Sequence, residues 1–250
     1  MRKLLKSLLT PGFLYMYRGY RAYWFGECEL QFLKDLVPAD RVAIDVGANY
    51  GEYAYWLEKL SSKVALFEPH PECVEHLKQC VSPSTDIYQM GLSNRSDESV
   101  LRIPIDGNSS AVTCRASLSN KAVSEFDFLD ELSIKLARLD DLNINDVGFI
   151  KIDVEGHERE VIEGAEKTIR KFKPNLQVEI EQRHLDCPIQ EIFGYIESLG
   201  YGAYFYRGKK LTKLVEFDLK RDQTDMLAKS SFSASLLNEG YVNNFIFLAN

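Results

Sequence analysis

The run Val42-Ala43-Ile44-Asp45-Val46-Gly47-Ala48-Asn49-Tyr50-Gly51 ends an apolar stretch in a carboxylate, then turns through Gly-x-Asn-x-Gly. A short apolar strand that meets a glycine-rich turn and enters a helix is how parallel α/β sheets open a nucleotide pocket. A second apolar run, Val64-Ala65-Leu66-Phe67, ends in Glu68, seventeen residues past Gly51. A carboxylate at that position accepts hydrogen bonds from the vicinal hydroxyls of a ribose. The spacing departs from the dinucleotide fingerprint Gly-x-Gly-x-x-Gly, and Tyr50 is bulky for such a turn. Asp45 would also repel a pyrophosphate, but it suits a ligand that carries an amino group and a sulfonium. The residues therefore favour S-adenosylmethionine as cofactor, with Gly47 and Gly51 letting the backbone come close to it.

From residue 42 onward strand and helix alternate, the pattern of a mostly parallel sheet with crossover helices. The apolar runs predict strands over 42–46, 64–68, 86–90, 148–152 and 176–180, and helices over 51–60, 71–80, 157–171 and 188–199. Val161, Ile162, Ala165 and Ile169 share one helical face; Arg170, Lys171 and Lys173 suit the negative end of that helix, and Pro174 stops it. Between residues 93 and 130 the pattern changes. Val100 to Ile105 reads as a strand that Pro104 confines to an edge or an end, and a serine-rich stretch runs from Asp106 to Ser124. Leu132, Ile134 and Leu136 then alternate like a short strand. We read this region as an insertion over the carboxyl edge of the sheet. The tail predicts a hairpin, Tyr204 to Tyr206 and Leu211 to Phe217 about the turn Arg207-Gly208, and a last buried strand at Asn244 to Leu248.

A chain of 250 residues supports one large α/β domain, which we place at 39–250 behind an N-terminal arm at 1–38. The net charge of −7 argues against a nucleic-acid partner. The five cysteines form no Cys-x-x-Cys pair, which suits reduced thiols in the cytoplasm, and no run is long and apolar enough to span a membrane. In the arm, Arg2, Lys3, Lys6, Arg18 and Arg21 precede the first acid, Glu27, and aromatic residues crowd between Phe13 and Trp24. Leu4, Leu5, Leu8 and Leu9 fall on one helical face that Pro11-Gly12 interrupts. A helix that covers the cofactor domain is our first reading; the second is a basic, aromatic arm in peripheral contact with an anionic membrane surface.

Two segments, Ile44 to Gly51 and Phe67-Glu68-Pro69-His70-Pro71, resemble the first two motifs of the FkbM-type methyltransferases. Phe149-Ile150-Lys151-Ile152-Asp153-Val154-Glu155-Gly156-His157-Glu158, followed by Val161-Ile162-Glu163-Gly164-Ala165, resembles their central signature. Leu139-Asp140-Asp141-Leu142 and Asn244-Phe245-Ile246-Phe247 fit as well, so the resemblance runs over about residues 40 to 248. It implies a class I, Rossmann-like methyltransferase fold: a seven-stranded, mostly parallel sheet with an antiparallel last strand and helices on both faces. It implies O-methyl transfer, often to sugars of glycans or to polyketide-type metabolites. Carried over by position, Asp45, Gly47, Asn49 and Gly51 line the methionine end of the cofactor, Glu68 holds the ribose, and Gly91-Leu92 borders the adenine.

An acceptor hydroxyl is a weak nucleophile and needs a base within hydrogen-bond reach. Asp153 ends the fourth strand and is the first candidate, with Glu155 and Glu179 as supporting acids. His157 and His184 are the natural imidazole bases by ordinary pKa, although many FkbM-type relatives carry alanine at the position of His157. A divalent ion held by Asp153 with Glu179 or Glu181 is a further reading, which we hold behind direct contact of these acids with sugar hydroxyls or helix ends. The expectation is a cytoplasmic O-methyltransferase acting on a glycan or related small molecule. A non-catalytic nucleotide-binding protein and a nicotinamide-dependent oxidoreductase are the alternatives.

Overall fold

Side-chain alternation along the first strand decides how the layers form. In β1 (Val42–Val46) Val42, Ile44 and Val46 enter one apolar core, while Ala43 enters another on the opposite face. A strand buried on both sides needs apolar residues at every position, and Asp45 is the one exception in β1. The computed structural model describes residues 10–26, 28–105, 112–229 and 240–250. Arg2 to Leu9 of the predicted basic arm, and Asp106 to Ala111 of the serine-rich stretch, lie outside the described residues.

The central sheet has the order β10-β9-β11-β8-β7-β1-β2-β3. Here β2 is Lys63–Phe67, β3 Thr85–Tyr88, β7 Val147–Ile152, β8 Asn175–Glu179, β9 Tyr201–Arg207, β10 Lys210–Lys213 and β11 Asn244–Ala249. Strands β3, β2, β1, β7 and β8 run parallel, whereas β11 lies antiparallel to both β8 and β9. The order reverses at β1, whose neighbours are β2 and β7, and ligands of open α/β sheets bind at such a switch point. The β9–β10 hairpin adds an eighth strand to the seven that the resemblance implied. After Lys213 the hairpin's second arm leaves the sheet in a short helical turn.

Helices cover both faces. On one, α5 (Glu158–Gly164), α6 (Glu166–Phe172) and α7 (Ile189–Ser198) bury Val161, Ile162, Ile169, Ile192 and Ile196. The predicted helix over 157–171 is two helices, because Ala165 leaves helical geometry at φ −108° and ψ 5°. On the other face lie α1 (Pro11–Phe25), α2 (Leu33–Leu36), α3 (Ala54–Leu60) and α4 (Pro71–Lys78), which contribute Tyr15, Leu33, Leu36, Leu57 and Leu77 to the second core. Thr10 caps α1 by accepting from the Phe13 amide at 3.3 Å. The helix is fixed to α3 through Tyr15, whose hydroxyl donates to Glu58 at 3.0 Å, and through Trp56, whose indole donates to the Gly19 carbonyl at 2.9 Å.

The 93–130 region and the residues that flank it form a separate three-stranded sheet, β4 (Gly91–Leu92), β6 (Leu129–Ala137) and β5 (Asp97–Pro104) in the order β4-β6-β5. Pro104 ends β5, where its missing N–H removes nothing from the ladder. Leu101, Ile103, Ile134 and Leu136 make a small core of their own.

Candidate active site

The carboxyl ends of β1, β2 and β7 border a cavity of about 320 Å³, which the small sheet and the end of α1 close from the other side. Asp45 lies at its base. Its side chain is buried, and its Oδ2 has no hydrogen-bond partner. Burial pushes its carboxyl up to about 7, partly offset by Lys151 and reinforced by Asp153 and Glu68. An orphaned carboxylate oxygen in a cavity has room for a ligand's ammonium group.

Lys151 faces Asp45 across the β1–β7 pairing. The lysine is 1% exposed, its Nζ donates to Asp153 Oδ2 at 3.0 Å, and it sits 4.5 Å from the centre of the Tyr53 ring. This residue is not among the site candidates that the sequence offers. Its signal was available, because a lysine inside the apolar run Phe149-Ile150-Lys151-Ile152 must be buried, and a buried cation needs acids beside it.

The glycine-rich turn and Glu68 are bound together. Glu68 accepts the Asn49 amide on Oε2 and the His70 amide on Oε1, both at 2.8 Å. Burial nevertheless pushes its carboxyl up to about 7, against the pull of those two N–H groups. Asn49 takes φ +47°, and its Oδ1 accepts from Cys73 at 3.5 Å and from Thr113 of the insertion at 3.4 Å. The glycines act differently from expectation. A Cβ on Gly47, at φ +86°, would stand 1.9 Å from the Asp153 carbonyl oxygen, so its missing side chain lets the β1 and β7 turns close on each other. Gly47 still borders the cavity; Gly51 does not. A Cβ on Gly51 would meet Tyr15 of α1 at 2.5 Å, so that glycine seats the N-terminal helix.

Gly91 and Leu92 border the cavity beside Leu101 and Ile134 of the small sheet. Asp153, Glu155 and His157 also line it. The Asp153 amide donates to the Val46 carbonyl at 3.0 Å, fixing the start of this turn. Glu155 adopts φ +51°, and its Oε2 lies 2.9 Å from Nδ1 of His184. Burial opposes a charge on His184, but the Glu155 hydrogen bond and the charges of Glu155 and Glu181 outweigh it and hold this imidazole above its ordinary value. His184 is buried behind Glu155 and does not line the cavity, a poor position for a base. His157 is pushed below its ordinary value by burial, against the nearby Glu160, and its Nε2 lies 3.0 Å from the Ser93 hydroxyl.

Glu179 also stands outside the cavity, where its Oε1 accepts from Asn243 at 2.7 Å. Glu181 takes donors from Arg183 and Tyr241, which occupies the acid proposed as a metal partner for Asp153. Among the described residues, no group of three or more His, Cys, Asp or Glu is placed to hold a metal ion. Glu52, Tyr53, Thr113 and Cys114 also line the cavity without having been sequence candidates, and further groups come from the N-terminal helix. Among these are Arg21 and Phe25 at the end of α1, which only the packing of that helix brings to the cavity mouth.

The model of the methyltransferase FkbM domain matches residues 45–202, more than half of the chain. The chain is 26% identical over 196 residues to the 2-O-methyltransferase NoeI of Sinorhizobium fredii, covering 71% of this chain and 80% of NoeI. It is 32% identical over 140 residues to the hexuronic acid methyltransferase AglP of Haloferax volcanii, covering 54% of each. The crystal structure of methyltransferase FkbM from Methylobacillus flagellatus superposes with a TM-score of 0.51 at 13% identity, over 95% of this chain and 54% of that one, a likeness of fold. The chain thus spans about half the length of AglP and of the solved relative. With Asp45 opening the matched segment and the 151–158 signature inside it, the chain belongs to the FkbM-domain family of S-adenosylmethionine-dependent methyltransferases.

Proposed function

We propose that this enzyme methylates a hydroxyl of a carbohydrate, and that Asp45, Glu68 and Asp153 divide the work. The observation that carries the donor half is the buried Asp45 carboxylate with its unpartnered Oδ2, next to a second buried carboxylate, Glu68, on the same cavity. Asp45 would hold the amino group of the donor, Glu68 its ribose hydroxyls, and Gly91-Leu92 with Leu101 and Ile134 its flat base. The bound donor supplies an electrophilic methyl group on a sulfonium. Asn49 and Gly47 shape the turn around the donor, while Lys151 holds Asp45 and Asp153 in register between adjacent strands.

For the acceptor, Asp153 has one oxygen engaged by Lys151 and the other, Oδ1, available to take the hydroxyl proton as the new O–C bond forms. Glu155, anchored by His184, would bind a neighbouring sugar hydroxyl rather than move protons. His157 and Ser93 form a neutral hydrogen-bonded pair at the same wall. The names of NoeI and AglP support a saccharide acceptor. Calorimetry with S-adenosylhomocysteine tests the donor site, and transfer of labelled methyl to a panel of nucleotide sugars, uronic acids and glycan fragments tests the acceptor. Binding without transfer to any saccharide would overturn the carbohydrate assignment and leave the donor site standing.

A further inference from the structure

Helix α1 presents two different surfaces. Toward the body it packs Tyr15 and Gly19 onto α3, and its end closes the cavity with Arg21, Ala22 and Phe25. Toward solvent it carries Phe13, Met16, Tyr17, Tyr20 and Trp24, at the three- and four-residue spacing of one helical face, with Tyr20 at its border, where the ring also packs on Tyr55 and Trp56 of α3. All five are exposed, Trp24 at 66%, and Phe25 beside them is 72% exposed. Among the described residues, the remaining exposed large apolar side chains are scattered over β5, β6 and the β9–β10 region with no comparable stripe.

The charge distribution indicates what covers this face. Before Glu27 the chain has Arg2, Lys3, Lys6, Arg18 and Arg21 and no acid, although the whole chain is net −7. Its acidic excess therefore lies entirely beyond the arm. Arg18 is turned to the body, 4.0 Å over the Tyr50 ring, while Arg21 stands at the cavity mouth. Tyr and Trp rings with one wet and one apolar side settle at the boundary between lipid headgroups and acyl chains, and cations near them attract anionic headgroups. The acidic body is repelled by the same surface, which orients the molecule arm-first. Among the described residues no helix is long and apolar enough to cross a membrane, so contact would be along the surface.

We propose that the solvent face of α1 docks on an anionic lipid bilayer and brings the cavity mouth, at Arg21 and Phe25, next to the lipid headgroups. Resting on the carbohydrate reading above, this points to an acceptor sugar carried on a lipid. Docking itself is independent of that reading.

The full chain is tested by flotation with vesicles of phosphatidylcholine alone and of phosphatidylcholine mixed with phosphatidylglycerol, and by Trp emission. The expected result is binding to the anionic vesicles only, released by salt, with a blue shift of emission that Trp24→Phe abolishes. The combined variant Phe13→Ser/Tyr17→Ser/Trp24→Ser should lose binding by about tenfold or more, since it removes apolar area at the contact. Its affinity for S-adenosylhomocysteine should equal that of wild type, which shows that the cavity is intact. Equal flotation with both vesicle types, or retained binding by the triple variant, overturns the proposal. So does a wild type that ignores vesicles and self-associates, with the triple variant monomeric, because a second copy then covers the face.

Discussion

Donor binding should strengthen as the pH rises through neutrality. Burial holds Asp45 at about 7 rather than 3.8 and Glu68 at about 7 rather than 4.5. Roughly a tenth of each carboxyl is therefore ionised one pH unit below that value and roughly nine tenths one unit above it. A ligand ammonium gains its full attraction only from ionised Asp45. The apparent affinity one unit below the pKa is then about tenfold weaker than one unit above, or about 1.4 kcal/mol, from Asp45 alone. Ribose hydroxyls donate to a carboxylate, so Glu68 adds to the effect. The sign for folding is the opposite. Both folded values are raised, so these carboxyls favour the fold fully below their ordinary values of 3.8 and 4.5, and that contribution is lost as the pH rises through about 7. Ligand-free protein should thus lose stability toward alkaline pH while protection by donor grows. Titration calorimetry with S-adenosylhomocysteine across this range, in two buffers of different ionisation enthalpy, reads both the affinity and the protons released. The amine of this ligand stays protonated in the window. An affinity that stays flat, with an enthalpy independent of buffer, would refute the assignment of Asp45 as the amine contact.

Three substitutions probe the same cavity. Lys151→Met removes the buried cation between Asp45 and Asp153 and should cost about 3–5 kcal/mol of stability in urea unfolding, less at low pH where the acids neutralise themselves. Gly47→Ala forces a Cβ to within 1.9 Å of the Asp153 carbonyl at φ +86°, so thermal unfolding should show a loss of at least about 1–3 kcal/mol together with weakened S-adenosylhomocysteine binding. Asp153→Asn keeps the size of the side chain and removes the base; kcat should fall by roughly 10²–10⁴-fold while calorimetry shows donor affinity within a few-fold of wild type.

Strands β1, β2, β7 and β8 were legible as local runs rich in apolar residues, and each starts and ends within a residue of the expected bounds, whereas the more polar edge strand β3 ends two residues before its expected bound. The break at Ala165 was not legible, since its cause is tertiary. A Cβ on Gly164 would stand 1.9 Å from the Ser93 carbonyl, so the helix runs against the strand-like segment after β4, and no local pattern announces that contact. Asp45, Glu68 and Asp153 were legible as strand-end acids, and the sheet order brings them to one cavity. Glu179 ends a strand too, yet Asn243 of the incoming antiparallel segment takes its carboxylate. Likewise the φ of +51° at Glu155 points its carboxylate at His184, which a string of residue types does not encode. What failed to show in the sequence was therefore the direction of side chains at turns and the partners supplied from distant segments.

The two readings of the arm are not rivals once its helical geometry is known. A helix has room for several faces, and α1 uses them separately. Tyr15 occupies the space that a side chain on Gly51 would take, which ties the helix to the turn after β1. One turn and a half further on, Arg21 and Ala22 border the cavity. Tyr20 keeps one edge on α3, its ring 5.2 Å from that of Trp56 and 5.6 Å from that of Tyr55. Phe13, Met16, Tyr17 and Trp24 then remain on the outside, where covering the domain places no demand on them. Leaving aromatic rings in water gains the fold nothing, since burying any one of them would release about 1.5–3 kcal/mol. The covering role explains the inward residues of α1 and leaves the outward ones without a task, and the docking proposed above would give them one.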